Sequence, residues 1–131
     1  MGDKKLQAEA VEFFDDFVEA FRSFDGTRIA GRYVVPYVAL HGRGQIDSFA
    51  TLADVARYFQ SVVDDYFAEG CRSCRYKDLE IAPIGSQSAI GTVTWELLRE
   101  NEDVLKIWRE SYNLSRTADG LRIYASTDHV E

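Results

Sequence analysis

Glu110-Ser-Tyr112-Asn-Leu114-Ser-Arg116-Thr-Ala-Asp119-Gly120-Leu-Arg-Ile123-Tyr-Ala125-Ser-Thr127 reads as two β-strands folded back around an Asp-Gly turn. Working outward, the segments before it also have strand composition. Strands are expected over 75–83, 88–99, 104–117 and 121–130, with Glu100-Asn101-Glu102-Asp103 turning between the second and third. The chain ahead of them is mainly helical. A helical first half followed by an antiparallel meander predicts an α+β fold, in which one curved sheet with helices on its concave side encloses a single pocket.

In the first half, Leu6, Ala10, Phe13, Phe17, Phe21 and Phe24 recur at helical spacing. Glu9, Glu12, Asp16 and Glu19 take the other face, and Phe14 and Val18 widen the apolar stripe. Asp25 is placed to cap a short second helix running through Ile29 and Tyr33. Val34 to His41 reads as a strand, with Pro36 near its start and a turn at Gly42-Arg-Gly44. Thr51 with Asp54 three residues on resembles a capping box for a third helix, whose face is Leu52, Val55, Phe59, Val62 and Tyr66 and whose stop is Gly70.

The 131 residues, 46% of them hydrophobic, suffice for one domain with its own core, and no linker, repeat or low-complexity tract divides them. Met-Gly-Asp-Lys-Lys lacks the apolar region of a signal peptide, and no apolar run is long enough to cross a bilayer, so a cytoplasmic location is expected, away from membranes. The net charge of −7 and the lack of a basic run argue against nucleic acid as a partner. Cys71-Arg-Ser-Cys74 has no second ligand pair at zinc-site spacing and follows a helix end instead of starting a helix, so it reads as two reduced thiols. Gly-rich phosphate loops, Gly-x-Ser-x-Gly and His-Glu-x-x-His are absent, which leaves no expectation of a cofactor or a metal.

The order helix, short helix, strand, turn, helix and long antiparallel strands resembles the nuclear transport factor 2-like superfamily, which includes ketosteroid isomerase and the SnoaL-like polyketide cyclases. The local carriers of the resemblance are Phe21-Arg-Ser-Phe-Asp25-Gly-Thr-Arg-Ile29 and the terminal strand, Asp119-Gly120 turn, strand. It covers nearly the whole chain and implies a cone-like half-barrel with a hydrophobic pocket at its wide end and pairing of two copies through the sheet. Its members range from isomerases, dehydratases and cyclases to non-catalytic association modules, so function has to come from the site. Laid without gaps on ketosteroid isomerase at Asp25, the chain puts His41 where that enzyme has its aspartate base. The enzyme's oxyanion-donating tyrosine falls on Phe17, which has no proton to donate but would still line the pocket.

Imidazole is suited to moving a proton next to a carbonyl, although His41 beside Gly42 could equally do no more than end a strand. Trp95 and Trp108, on strands joined by a short turn, are expected as cross-strand neighbours. They wall either the pocket or a dimer interface on the opposite face; alternation leaves both open, because 89–98 carries apolar residues on both faces. By the period of two, Glu110 and Tyr112 share the face of Trp108. Facing inward, Glu110 is a buried carboxyl with a raised pKa; facing outward, it is a surface charge. Tyr33 and Tyr37 serve as pocket-mouth phenols or as core residues with a wet hydroxyl. Asp128 and His129 point to opposite faces of a strand, and Asp15-Asp16 and Asp64-Asp65 read as solvated helix surface. The resulting expectation is a pocket for a small apolar or aromatic molecule. It is worked either by a metal-free isomerase, dehydratase or cyclase through His41, Glu110 and Tyr112, or by a non-catalytic homodimeric module.

Overall fold

Short polar side chains start two of the helices. Asp25 accepts from the Thr27 amide at 2.9 Å and opens α2 (Gly26–Ala30), and Thr51 accepts from the Asp54 amide at 3.1 Å and opens α3 (Leu52–Ala68). The computed structural model describes residues 2–129, with side chains from Lys4 onward; α1 spans Gly2–Arg22. Gly70, at φ 106, ends α3 as expected. The second helix stops at Ala30 instead of continuing to Tyr33, because Tyr33 already begins a strand. Leu52, expected on the apolar face of α3, is exposed in its first turn, while Val55, Phe59 and Val63 are buried.

The strands are β1 (Tyr33–Leu40), β2 (Ile46–Phe49), β3 (Ser73–Ile84), β4 (Ser88–Leu98), β5 (Val104–Thr117) and β6 (Gly120–Asp128). They form one sheet in the order β2-β1-β6-β5-β4-β3. The last four strands match the expected meander to within about two residues, and Val130 lies outside the described residues. The meander is not the whole sheet. β1 joins its edge parallel to β6, and β2, absent from the sequence reading, pairs antiparallel with β1. β2 has four residues with a polar centre and an exposed face, too little alternation to register as a strand. The final hairpin turns through Ala118 and Asp119, with Gly120 already in β6 at φ 103 and paired with Thr117. Only the glycine takes a positive φ, so the turn lies one residue earlier than an Asp-Gly turn would.

Register shifts interrupt β3/β4 between Lys77 and Glu80, β4/β5 between Leu97 and Leu98, and β5/β6 between Asn113 and Leu114. Such bulges bend strands and increase their twist, and here they curl the sheet around α1 and α3. The concave face packs Phe13, Phe14 and Phe17 of α1 against Val93, Trp95, Tyr112 and Leu114. Gly91 makes room for this: a Cβ there would lie 3.0 Å from the ring of Phe14.

The helices meet equally closely. A Cβ on Gly26 would overlap the Ala56 carbonyl oxygen and lie 2.8 Å from the Gln60 nitrogen, and the Gly26 amide donates to Gln60 Oε1 at 2.8 Å. Gly26→Ala must push α2 off α3, and is expected to cost about 1–3 kcal/mol. A Cβ on Gly42 meets nothing within 4 Å, so Gly42→Ala should leave the urea midpoint near wild type. Equal midpoints for the two variants would refute the close contact.

Candidate functional site

The open end of the curled sheet leaves a cavity of about 430 Å³ between the sheet, α3 and the β1–β2 turn. α3 contributes Tyr58, Phe59, Val62 and Tyr66, β1 contributes Tyr33 and Tyr37, and α1 contributes Phe21. The opposite wall is Trp95 of β4 with Trp108, Glu110 and Tyr112 of β5. Trp95 and Trp108 are register partners, and both line the cavity, as do Glu110 and Tyr112. All the residues expected on one strand face therefore look inward.

Their polar atoms are tied together. Trp95 Nε1 donates to Tyr112 Oη at 2.7 Å, and Trp108 Nε1 donates to Glu110 Oε1 at 2.9 Å. Tyr37 Oη lies 2.6 Å from Ser126 Oγ. Tyr112 and Asp128 flank Glu110, Asp128 as its register partner on β6. Burial, followed by the charge of Asp128, pushes the Glu110 carboxyl up to about 8, against the partial relief of the Trp108 N–H. Near neutrality Glu110 is thus a carboxylic acid able to donate a proton. Burial also raises the phenols: Tyr58 to about 12, and Tyr33, Tyr37, Tyr66 and Tyr112 well above the ordinary tyrosine range. They stay protonated and serve as donors and as ring surface.

At the rim, the turn after β1 is closed by His41 N–H to Gln45 O at 2.8 Å and Gly44 N–H to His41 O at 2.9 Å, with Gly44 at φ 81. This turn brings the His41 ring to the cavity edge, 5.9 Å from the Tyr58 ring, with Nε2 2.8 Å from Asp47 Oδ2. With Nε2–H donating to Asp47 Oδ2, Nδ1 keeps its lone pair. Lys106 and Arg43 also border the opening.

One expected lining residue sits elsewhere. Phe17 is fully buried and packs behind the wall, its ring centroid 5.6 Å from those of Trp95 and Tyr112. The helical period brings Phe21, one turn on, to the cavity instead. Asp128 is the residue that sequence reasoning passed over: it faces Glu110, while His129, also at the cavity border, has its Nε2 2.8 Å from Ser111 Oγ. Cys71 and Cys74 are unbridged and buried, and burial pushes the Cys74 thiol, on the cavity wall, up to about 12. Among the described residues no group of three His, Cys, Asp or Glu side chains is placed to hold a metal ion. No helix among them is long and apolar enough to cross a membrane.

The family model described as NTF2-like protein (DUF6841) matches residues 8–131. No curated protein matches the chain. Among solved structures, Aln2 from a Streptomyces species aligns with a TM-score of 0.78 at 11% identity, over 96% of this chain and 91% of that one. A proposed dehydratase of the NTF2-like family from Streptomyces avermitilis aligns with a TM-score of 0.72 at 13% identity over 100% of both chains. A proposed ketosteroid isomerase from Shewanella frigidimarina aligns at 0.67 and 18% identity, over 92% of this chain and 94% of that one. At these identities the likeness is one of fold.

The raised Glu110 carboxyl has a signature in stability. The folded chain holds this proton up to about 8, whereas a free glutamic acid loses it near 4.5. Its contribution is therefore complete below 4.5 and declines as pH rises through 8. Relative to wild type, Glu110→Gln should gain stability progressively between pH 5 and 9. A difference in urea midpoint that stays flat over that window would contradict the burial of this carboxyl.

Proposed function

The chain belongs to the NTF2-like family DUF6841, and we propose that it is an enzyme moving a proton on a small apolar or aromatic carbonyl compound. The reaction class is isomerisation, dehydration or cyclisation. The observation that carries this reading is a protonated carboxyl, Glu110, enclosed by Trp108, Tyr112 and the tyrosines of β1 and α3. In the step envisaged, His41 Nδ1 takes the proton from the carbon next to the carbonyl, and its imidazolium is stabilised by Asp47. Glu110 delivers its proton to the carbonyl oxygen, so that the C–H bond and the carboxyl O–H bond break, an imidazole N–H and an enol O–H form, and the enol is left with an imidazolium and a carboxylate. Tyr112, held by the Trp95 N–H, orients Glu110. Trp95, Trp108, Tyr33 and Tyr37 supply the walls.

A second reading, a non-catalytic module of two copies, draws on two features. Among the described side chains, α1 sends only the apolar Phe21 to the cavity lining, where a proton-donating side chain would favour catalysis. The outward side of the sheet exposes Ile107 at 54% and Val38 at 42%, which gives a second copy an apolar surface to cover.

Exchange of the α-hydrogens of 2-tetralone in deuterium oxide, followed by proton NMR, tests the enzyme reading. Wild type should accelerate it, and His41→Ala and Glu110→Gln should each cut the rate by about 10²–10⁴. Acceleration that survives in both variants, or none with wild type, removes the proton-transfer assignment. Pairing of two copies predicts a dimer mass in light scattering at micromolar concentration, reduced to a monomer by Ile107→Lys. A monomeric wild type refutes it.

A further inference from the structure

Among the described residues, the carboxylates other than Glu110 and Asp128 that are at least partly shielded from water, Glu9, Asp54 and Glu96, are each matched with a cation. Glu96 meets Arg75 at 2.7 Å and Lys77 at 3.4 Å, Glu80 meets Arg109 at 3.0 Å, and Glu9 meets Arg116 at 2.5 Å. Glu110 and Asp128 differ. They stand opposite each other in register inside the cavity, and among the described residues neither forms an ion pair. Facing each other without a cation, the two carboxyls avoid a double charge because Glu110 keeps its proton, and an entering cation would stabilise the pair in its fully ionised form.

The surroundings suit a cation from outside. The pair is ringed by Tyr33, Tyr37, Tyr58, Tyr66, Trp95 and Trp108. The faces of such rings are electron-rich and attract ammonium groups, most strongly where water is excluded. The protein already uses two of them this way. The Lys106 ammonium lies 5.6 Å from the Trp108 ring centroid and 5.8 Å from that of Tyr66, at the outer part of the cavity and not paired with either carboxyl. His41 at the rim is engaged by Asp47, His129 by Ser111, and Arg43 belongs to the exposed turn. The inner carboxyls are left to whatever enters.

We infer that the ligand of this cavity carries a cationic amine, substituted with apolar or aromatic groups, whose charge sits against the Glu110–Asp128 pair while its substituents pack on the tyrosine and tryptophan rings. This rests on the reading of the cavity as a small-molecule site and narrows its substrate class from apolar molecules in general to organic cations.

The test compares benzyltrimethylammonium with its uncharged carbon isostere, neopentylbenzene. The quaternary nitrogen neither titrates nor donates a hydrogen bond, so the pair differ in charge alone. Binding is followed by the fluorescence of Trp95 and Trp108, and thermal melts check the fold of each variant. Wild type should bind the cation about tenfold more tightly or better. Asp128→Asn and Glu110→Gln should each reduce that preference while leaving affinity for the isostere unchanged. Equal binding of the two probes by wild type overturns the cation inference and leaves the small-molecule site standing, whereas binding of neither overturns both. A preference undiminished in both variants overturns the carboxyl pair as counter-ion. Should a variant fail to fold, the wild-type comparison alone decides between equal and unequal binding.

Discussion

The ring of Phe17 is the contact on which the rest of the architecture leans. It packs against Phe13, Phe14 and Phe21 of its own helix, Tyr33 of β1, Trp95 of β4 and Tyr112 of β5. One side chain thereby ties the first helix to β1 on one side of β6 and to β5 and β4 on the other. Truncating a fully buried phenylalanine costs about 3–5 kcal/mol, a large part of the roughly 5–15 kcal/mol that holds a domain folded. The wedge also has a directional effect. Held apart by α1 on one side and bent by bulges along β3, β4 and β5, the strands do not collapse onto α3 over their whole length, and the unfilled end becomes the cavity.

The chemistry of the cavity follows from that geometry. A carboxyl on an open strand would be an ordinary ionised glutamate. Placed behind Trp108 and beside Asp128, Glu110 keeps its proton to about 8, with desolvation as the larger cause and the neighbouring charge as the second. The same desolvation keeps the phenols protonated. The site therefore combines proton donors, aromatic faces and one uncompensated carboxyl pair, with His41 and Asp47 at the rim where water reaches them.

Much of the fold was legible because it rests on local rules. The period of α1, the caps at Asp25 and Thr51, the glycine stop at Gly70 and the alternation of the last four strands each depend on neighbours a few residues away. β2 was not, because four residues with a polar centre carry no periodic signal and owe their strand conformation to β1. The parallel pairing of β1 with β6 joins residues about ninety apart in sequence, such as Tyr33 and Ile123. Nothing local encodes that.

In the candidate site, the face shared by Trp108, Glu110 and Tyr112 was readable from the period of two, and its inward direction was not. Asp128 illustrates why. Counting back from the terminal turn with even pairing sets Glu110 opposite Thr127; the bulge between Asn113 and Leu114 advances the register by one residue and brings Asp128 there instead. The helical period likewise marked Phe17 as apolar, but its place behind the wall, with Phe21 at the surface, depends on where α1 lies across the sheet. Sequence by itself determined which residues are helical, which are extended and which side chains share a face, because those are properties of backbone period and local capping. Only the tertiary structure decided which face became the cavity, which two carboxyls met in it and that they met without a cation, because those depend on register and burial among distant strands.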